Sequence, residues 1–216
     1  EFLNLCKTGE SFKESYPFVA NIPVNSAQAR DYALEGYLFP DTYEIYSDES
    51  AESIIGRMLT RFGQIMGDEY TARAAELNMS VDDVITLASL IEKEARHEND
   101  FTRVSAVFHL RLDKGMKLQS DAPLKYIFHT SGVLTFTAEQ MADTSLYNTH
   151  VYEGLPLGPI ANPGRKAIEA ALYPDEEYMN EGYLYFCLMD SETGELIYAK
   201  TLEEHNANVA KYRPNW

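Results

Sequence analysis

Residues 80–95 read SVDDVITLASLIEKEA. Ser80 and Asp83 are spaced as a capping box, and the neighbouring carboxylates Asp82 and Asp83 suit the positive end of a helix. From there Val84, Ala88, Ile91 and Ala95 fall on one stripe at roughly 100° per residue, flanked by Ile85, Leu87 and Leu90. The stretch therefore predicts a helix buried in a core, with Thr86, Ser89 and Lys93 on its polar face. Glu92 lies between the directions of Ala88 and Ile85, and Glu94 between those of Leu90 and Leu87. Both lean toward the core, whereas most helical glutamates point at water. Burial disfavours the charged carboxylate and raises its pKa, which suits a general acid working near neutral pH. A structural pair bridged to Arg96 or Arg103 is the alternative, and spacing alone leaves both readings open.

The rest of the chain sets the frame for that helix. Its 216 residues suffice for one full core, and 45% hydrophobic content with 15 tyrosines marks a globular chain. A net charge of −16 argues against tracking nucleic-acid phosphates. Two distant cysteines, Cys6 and Cys187, exclude a disulfide scaffold and the usual zinc spacings. No apolar run is long enough to span a bilayer and no signal peptide is visible. The opening EFLNLCKTGESFKESYPF begins without Met and in a helical pattern, so the chain reads as a soluble fragment of a longer protein.

Outward from the central helix, residues 1–33 read as a helical lead-in from a preceding module, and residues 34–216 as one domain. LEGYLFPDTYEIY (34–46) reads as a loop entering a short strand. SAESIIGRMLTRFGQIMG (50–67) has helical spacing with Gly67 as its stop, and a second helix is expected over 69–77. Another helix is expected through TRVSAVFHLRLDKG, ending at Gly115. Near residue 162, Asn162 is expected to cap a helix with Pro163 at its first position. YLYFCLM and LIYAK around DSETGE predict a β-hairpin, followed by a helix capped by Thr201 and Glu204. The expected class is α+β, helix-rich with a small antiparallel sheet.

Motifs for common chemistries are absent. There is no G-x-G-x-x-G, G-x-x-x-x-G-K-[ST], G-x-S-x-G, S-x-x-K or H-E-x-x-H, and the five histidines show no ligand spacing. Carboxylates remain. KLQSDAPLKY offers Gln119, Ser120 and Asp121 ahead of a proline, and SLYNTH offers Tyr147 and Asn148 ahead of a Gly/Pro loop. Amides, hydroxyls and aromatic faces suit sugar recognition, but the same residues build turns.

LEGYLFPDTYE, ASLIEKEA, VFHLRLDKGMKLQSD, SLYNTHVYEGLPLGPIANPG, YLYF and EEHNANVAKYR, in this order, resemble the YceG-like family, the MltG-type endolytic peptidoglycan transglycosylases. The likeness covers nearly all of 34–213. It departs at SDAPLKY, where the family more usually has proline directly after the aspartate, and at Leu157, where it has a second proline. The resemblance implies that Glu92 is the catalytic acid and then base, with a lysozyme-like active-site logic. It further implies that Gln119, Ser120, Asp121, Tyr147 and Asn148 line the glycan cleft, with Glu35 and Tyr37 close by. No metal and no cofactor are implied. Implied partners are peptidoglycan glycan strands and, as candidates, cell-wall synthases; nucleic acid is not among them. Family members usually carry an N-terminal membrane helix and a LysM-like module, so the implied home is the outer face of the bacterial cytoplasmic membrane.

Such an enzyme cuts the β-1,4 bond between MurNAc and GlcNAc to leave a 1,6-anhydroMurNAc end. Three other readings compete. A glycoside hydrolase would use a second carboxylate, for which Asp121 and Glu94 are candidates. A catalytically inactive cell-wall binding module would have no use for a buried acid. A pyridoxal-phosphate lyase would need a Schiff-base lysine and a phosphate cradle, neither of which the sequence offers.

Overall fold

The computed structural model describes residues 1–132 and 135–216, Asn215 through its backbone alone. The chain runs through α1 (Phe2–Thr8), a 3-10 turn (Glu10–Phe12), α2 (Pro17–Ala20), α3 (Ala51–Glu76), α4 (Val81–Glu94) and α5 (Glu98–Asp113). It continues through α6 (Ala122–Ile127), α7 (Ala138–Met141), α8 (Arg165–Leu172), α9 (Glu176–Glu181), β1 (Tyr185–Leu188), β2 (Leu196–Ala199) and α10 (Leu202–Tyr212). The class is α+β, as expected, with one antiparallel pair registered from Tyr185 opposite Ala199 to Leu188 opposite Leu196.

Helix α4 is the axle of the molecule. Ser80 and Asp83 form the full capping box at its start. Every residue from Val84 to Ile91 is buried, and α3, α5, α6 and α8 all pack on it. The expected polar face is therefore corrected. Thr86 and Ser89 are enclosed, and the Ser89 hydroxyl donates to Thr86 O (2.7 Å) while accepting the Ile160 N–H (3.0 Å). A helix surrounded on all sides must satisfy its small polar residues internally. Each fully buried leucine or isoleucine here contributes about 1.5–3 kcal/mol relative to exposure.

The first residues form less helix than expected. Gly9 (φ 63) ends α1 with its amide on Leu5 O, and only the 3-10 turn and the short α2 follow before α3. Cys6, Phe12 and Val19 bury in the core, and the amides of Ala33 and Leu34 donate to Lys7 O and Cys6 O. The strand expected within 34–46 is also absent. Tyr37, Leu38 and Phe39 dock into the core instead, and the side chain of Asn162 serves the backbone there, accepting from Gly36 N (2.8 Å) and Leu38 N (3.2 Å). Asn162 thus does not cap α8, whose N-cap is Gly164. At Gly67 (φ 44, ψ −177) the chain leaves helical geometry, so Ala51–Glu76 is two helices meeting at a kink, as expected. The hairpin and the Thr201–Glu204 capping box of α10 form as expected.

One ion pair ties these parts together. Arg30 grips Asp82 through Nη1 (2.8 Å) and Nη2 (2.6 Å), its Nε donates to Leu157 O (3.1 Å), and Tyr37 donates its hydroxyl to Asp82 (2.6 Å). A bidentate guanidinium–carboxylate pair with a phenol donor satisfies most of the buried polar valence.

Candidate active site

The last turn of α4 sends its three polar side chains in three directions. Glu92 turns toward the Gly/Pro loop before α8, where its Oε2 accepts the Gly164 N–H (3.2 Å). It is half-buried, and its Oε1 has no hydrogen-bond partner among the described residues. Lys93 is exposed. Glu94 turns to the opposite loop, where Ser120 donates its hydroxyl to Oε1. Burial pushes the Glu94 carboxyl up, against the hydrogen bond from Ser120; Asp121 adds to the rise. Neither glutamate pairs with Arg96, which donates to Ser191 O, or with Arg103, whose guanidinium lies over the Tyr178 ring.

The other residues implicated by resemblance form two groups. Ser120 is buried, with its amide on Thr149 Oγ1 (3.1 Å) and Oγ accepting from Ala122 N (3.2 Å). Asp121 pairs with His150 Nε2 at 2.9 Å. Gln119 sits at positive φ (51°), exposed, and its Oε1 accepts from Arg111 Nη1 (3.3 Å). Ser120 and Asp121 adjoin Glu94, and Gln119 precedes them on the same loop.

The second group is aromatic. Tyr126 donates its hydroxyl to Glu35 Oε2 (2.7 Å), and its ring lies 4.9 Å from that of Tyr147. Burial pushes the Glu35 carboxyl up, and it pushes the Tyr147 phenol up to about 12. Tyr126 and Tyr147 border a hollow of about 110 Å³ shared with Gln28 and Asp31. A larger hollow of about 290 Å³ opens beside it, walled by Lys93, Ala122, Lys125, Tyr126 and Ile160. Ile160 is pinned to Ser89, one helical turn before Glu92 and Lys93, and Ala122 adjoins the Ser120–Glu94 contact. The larger hollow is therefore bracketed by the two loops that hold Glu92 and Glu94.

Two residues implicated by resemblance are engaged elsewhere. Tyr37 is 1% exposed with its hydroxyl on Asp82, so it supports the core beneath the loop. Asn148 is also 1% exposed; its Nδ2 donates to Met141 O and Asp143 O, and its Oδ1 accepts from His150 N. No hydrogen bond or ring contact among the described residues joins Glu92 directly to Gln119 or Tyr147. Sequence reasoning passed over Gly164, Tyr126 and Lys125. Gly164 was visible in IANPGR only as part of a turn, and nothing local marks Tyr126 as the partner of a glutamate 91 positions away. Among the described residues no three His, Cys, Asp or Glu side chains gather where a metal ion could be held.

The model of the YceG-like family matches residues 4–211. An endolytic murein transglycosylase of Bacillus subtilis is 39% identical over 184 residues, covering 84% of this chain and 48% of that protein. One of Streptococcus pneumoniae is 35% identical over 202 residues, covering 91% of this chain and 35% of that protein. The chain thus spans half or less of the length of these curated relatives. A crystal structure of a putative yceG-like protein from Listeria monocytogenes superposes with a TM-score of 0.79 at 34% identity, over 95% of this chain and 65% of that one. Matched over nearly its whole length in both sequence and fold, the chain belongs to the YceG-like family.

Proposed function

We propose that this chain is the catalytic domain of a lytic transglycosylase that cleaves peptidoglycan glycan strands from within, with Glu92 as acid and then base. The observation that carries the choice of residue is the state of the Glu92 carboxyl. One oxygen is held by the Gly164 amide and the other has no partner among the described residues. A proton shuttle needs a fixed carboxyl with a free oxygen. The names borne by the relatives support the substrate class.

In the proposed reaction the protonated carboxyl gives its proton to the glycosidic oxygen between MurNAc and GlcNAc as the C1–O bond breaks. The carboxylate then takes the proton of the MurNAc C6 hydroxyl, whose oxygen bonds to C1 and closes the 1,6-anhydro ring. The carboxyl ends protonated, as it began, and no water is consumed. Peptidoglycan as substrate places the reaction outside the cytoplasmic membrane. A membrane anchor and contacts with cell-wall synthases belong to the same proposal, as properties of a longer protein.

A second reading gives the acid role to Glu94, favoured by the burial that raises its carboxyl. Its contact with Ser120 counts against it, because the oxygen that would face a bound strand is already held by a hydroxyl. Mass spectrometry of sacculi digested with this chain tests the function. Fragments ending in anhydroMurNAc, lighter by one water than hydrolysis products, are expected. Mainly reducing ends would assign a hydrolase, and intact sacculi a binding module.

A further inference from the structure

The larger hollow carries a charge opposite to that of the molecule. The chain has a net charge of −16, yet Lys93 and Lys125 both line this hollow of about 290 Å³. Neither lysine forms an ion pair among the described residues, although six of the other lysines and arginines find carboxylates within 3 Å. The Lys93 charge acts on Glu35, and the Lys125 charge on Glu94. Burial raises both carboxyls, so neither is a strong counter-ion. Tyr126 supplies an aromatic wall, and the Oγ1 of Thr130 on the rim is buried without a hydrogen-bond partner among the described residues. Leaving two ammonium groups unpaired around a concave surface fits an anion that arrives with a ligand.

We infer that the hollow between Lys93 and Lys125 is a subsite for a carboxylate carried on the lactyl branch of a muramic residue, either the lactyl acid itself or an acid of the peptide attached to it. The placement agrees with that chemistry. Ile160 in the wall and Gly164 on Glu92 lie within five residues of one loop, so the hollow sits beside the proposed acid rather than on it. A branch projecting from the sugar next to the cleaved bond would enter there while the glycosidic oxygen faces Glu92. The lysines would then choose where along a strand the chain cuts, by demanding an acidic branch at one position.

This inference rests on the proposed peptidoglycan function, but its test reads binding, so cleavage and recognition can fail separately. The probes are a GlcNAc–MurNAc disaccharide bearing a tripeptide with free acids, the same compound with its acids amidated, and the disaccharide stripped of peptide. Titration calorimetry on the intact chain should give affinity for the acid form roughly tenfold above the amidated form, the scale of two solvent-exposed charge contacts. The preference should weaken as salt is raised. The double variant K93Q/K125Q should bind both forms alike. Both lysines lack ion-pair partners, so their loss strands no buried charge. The lactyl carboxyl is an amide in both peptide-bearing probes, so a preference between them assigns the peptide acids; binding of the stripped disaccharide that K93Q/K125Q weakens would assign the lactyl acid. Equal affinity of the unaltered chain for the acid and amidated forms, together with binding of the stripped disaccharide that the double variant leaves unchanged, would overturn the inference, as would a double variant that keeps the preference. Binding with the expected preference but no cleavage of sacculi would overturn the proposed function and leave the subsite standing.

Discussion

Two loops hold the two glutamates at the end of α4, and they are built differently. The Glu92 loop is anchored in the deepest part of the molecule. Arg30 holds Leu157 O, Ser89 holds the Ile160 amide, and Asn162 reaches across to the backbone of residues 36 and 38. Its own contact to Glu92 is a single backbone N–H. The Glu94 loop is held from the side by Thr149 and Arg111, and its contact to Glu94 is a side-chain hydroxyl. On a helical wheel the two glutamates are near mirror images. Both are half-buried, but the loops that meet them leave one carboxyl held by a backbone N–H on a rigid frame and the other bonded to a hydroxyl, with its pKa raised by burial. Position on a helix supplies an acid; the partner across the gap decides what the acid can do.

Undermining the frame of the Glu92 loop should have the largest effect. Asp82→Ala leaves the Arg30 guanidinium, with 6% side-chain exposure, and the Tyr37 hydroxyl without their acceptor. Stability to denaturant should fall by about 3–5 kcal/mol, the cost of stranding a buried charge. A loss below ~1 kcal/mol would mean that the loop does not depend on this pair. Asn162→Ala removes the acceptor from two amides and should cost about 2–3 kcal/mol. Hydrogen exchange would check where: the amides of Gly36 and Leu38 should lose protection before those of α4.

The Glu94 side is probed by pH, with a smaller effect. Its folded pKa is raised, so the native state binds the proton more tightly than the unfolded chain, and stability must fall as pH rises from the ordinary value of 4.5 through the raised one. Glu94→Gln keeps an acceptor for Ser120 and cannot ionise. Thermal melts of the variant should therefore lack this part of the decline and match or exceed the unaltered chain at neutral pH. An unchanged slope would show that Glu94 is not the carboxyl that burial perturbs.

Much of this arrangement was legible in local sequence. The capping boxes at Ser80 and Thr201, the hairpin around DSETGE and the break at Gly67 depend on residues a few positions apart, and all are present. Ser89 and Thr86 were misplaced because a wheel assumes one buried face, whereas α4 is enclosed by four helices. Asn162 has the composition of a cap, but its partners lie 126 and 124 residues away. The same limit applies to the candidate site. Glu92 and Glu94 stood out as acids in an apolar helix, while Gly164, Tyr126 and the lysine-lined hollow arise only when distant segments meet.

The claim that Glu92 is the acid and base is tested most directly by comparing glycan release from sacculi by the unaltered chain, Glu92→Gln and Glu94→Gln, each confirmed as folded by thermal unfolding. Glutamine keeps the size of the side chain and its capacity to accept the Gly164 amide, but it cannot carry the proton. Release by Glu92→Gln should fall at least ~10²-fold, the scale of general acid–base catalysis, while Glu94→Gln keeps most of its activity. An active Glu92→Gln beside an inactive Glu94→Gln would contradict the account and move the chemistry to the carboxyl held by Ser120.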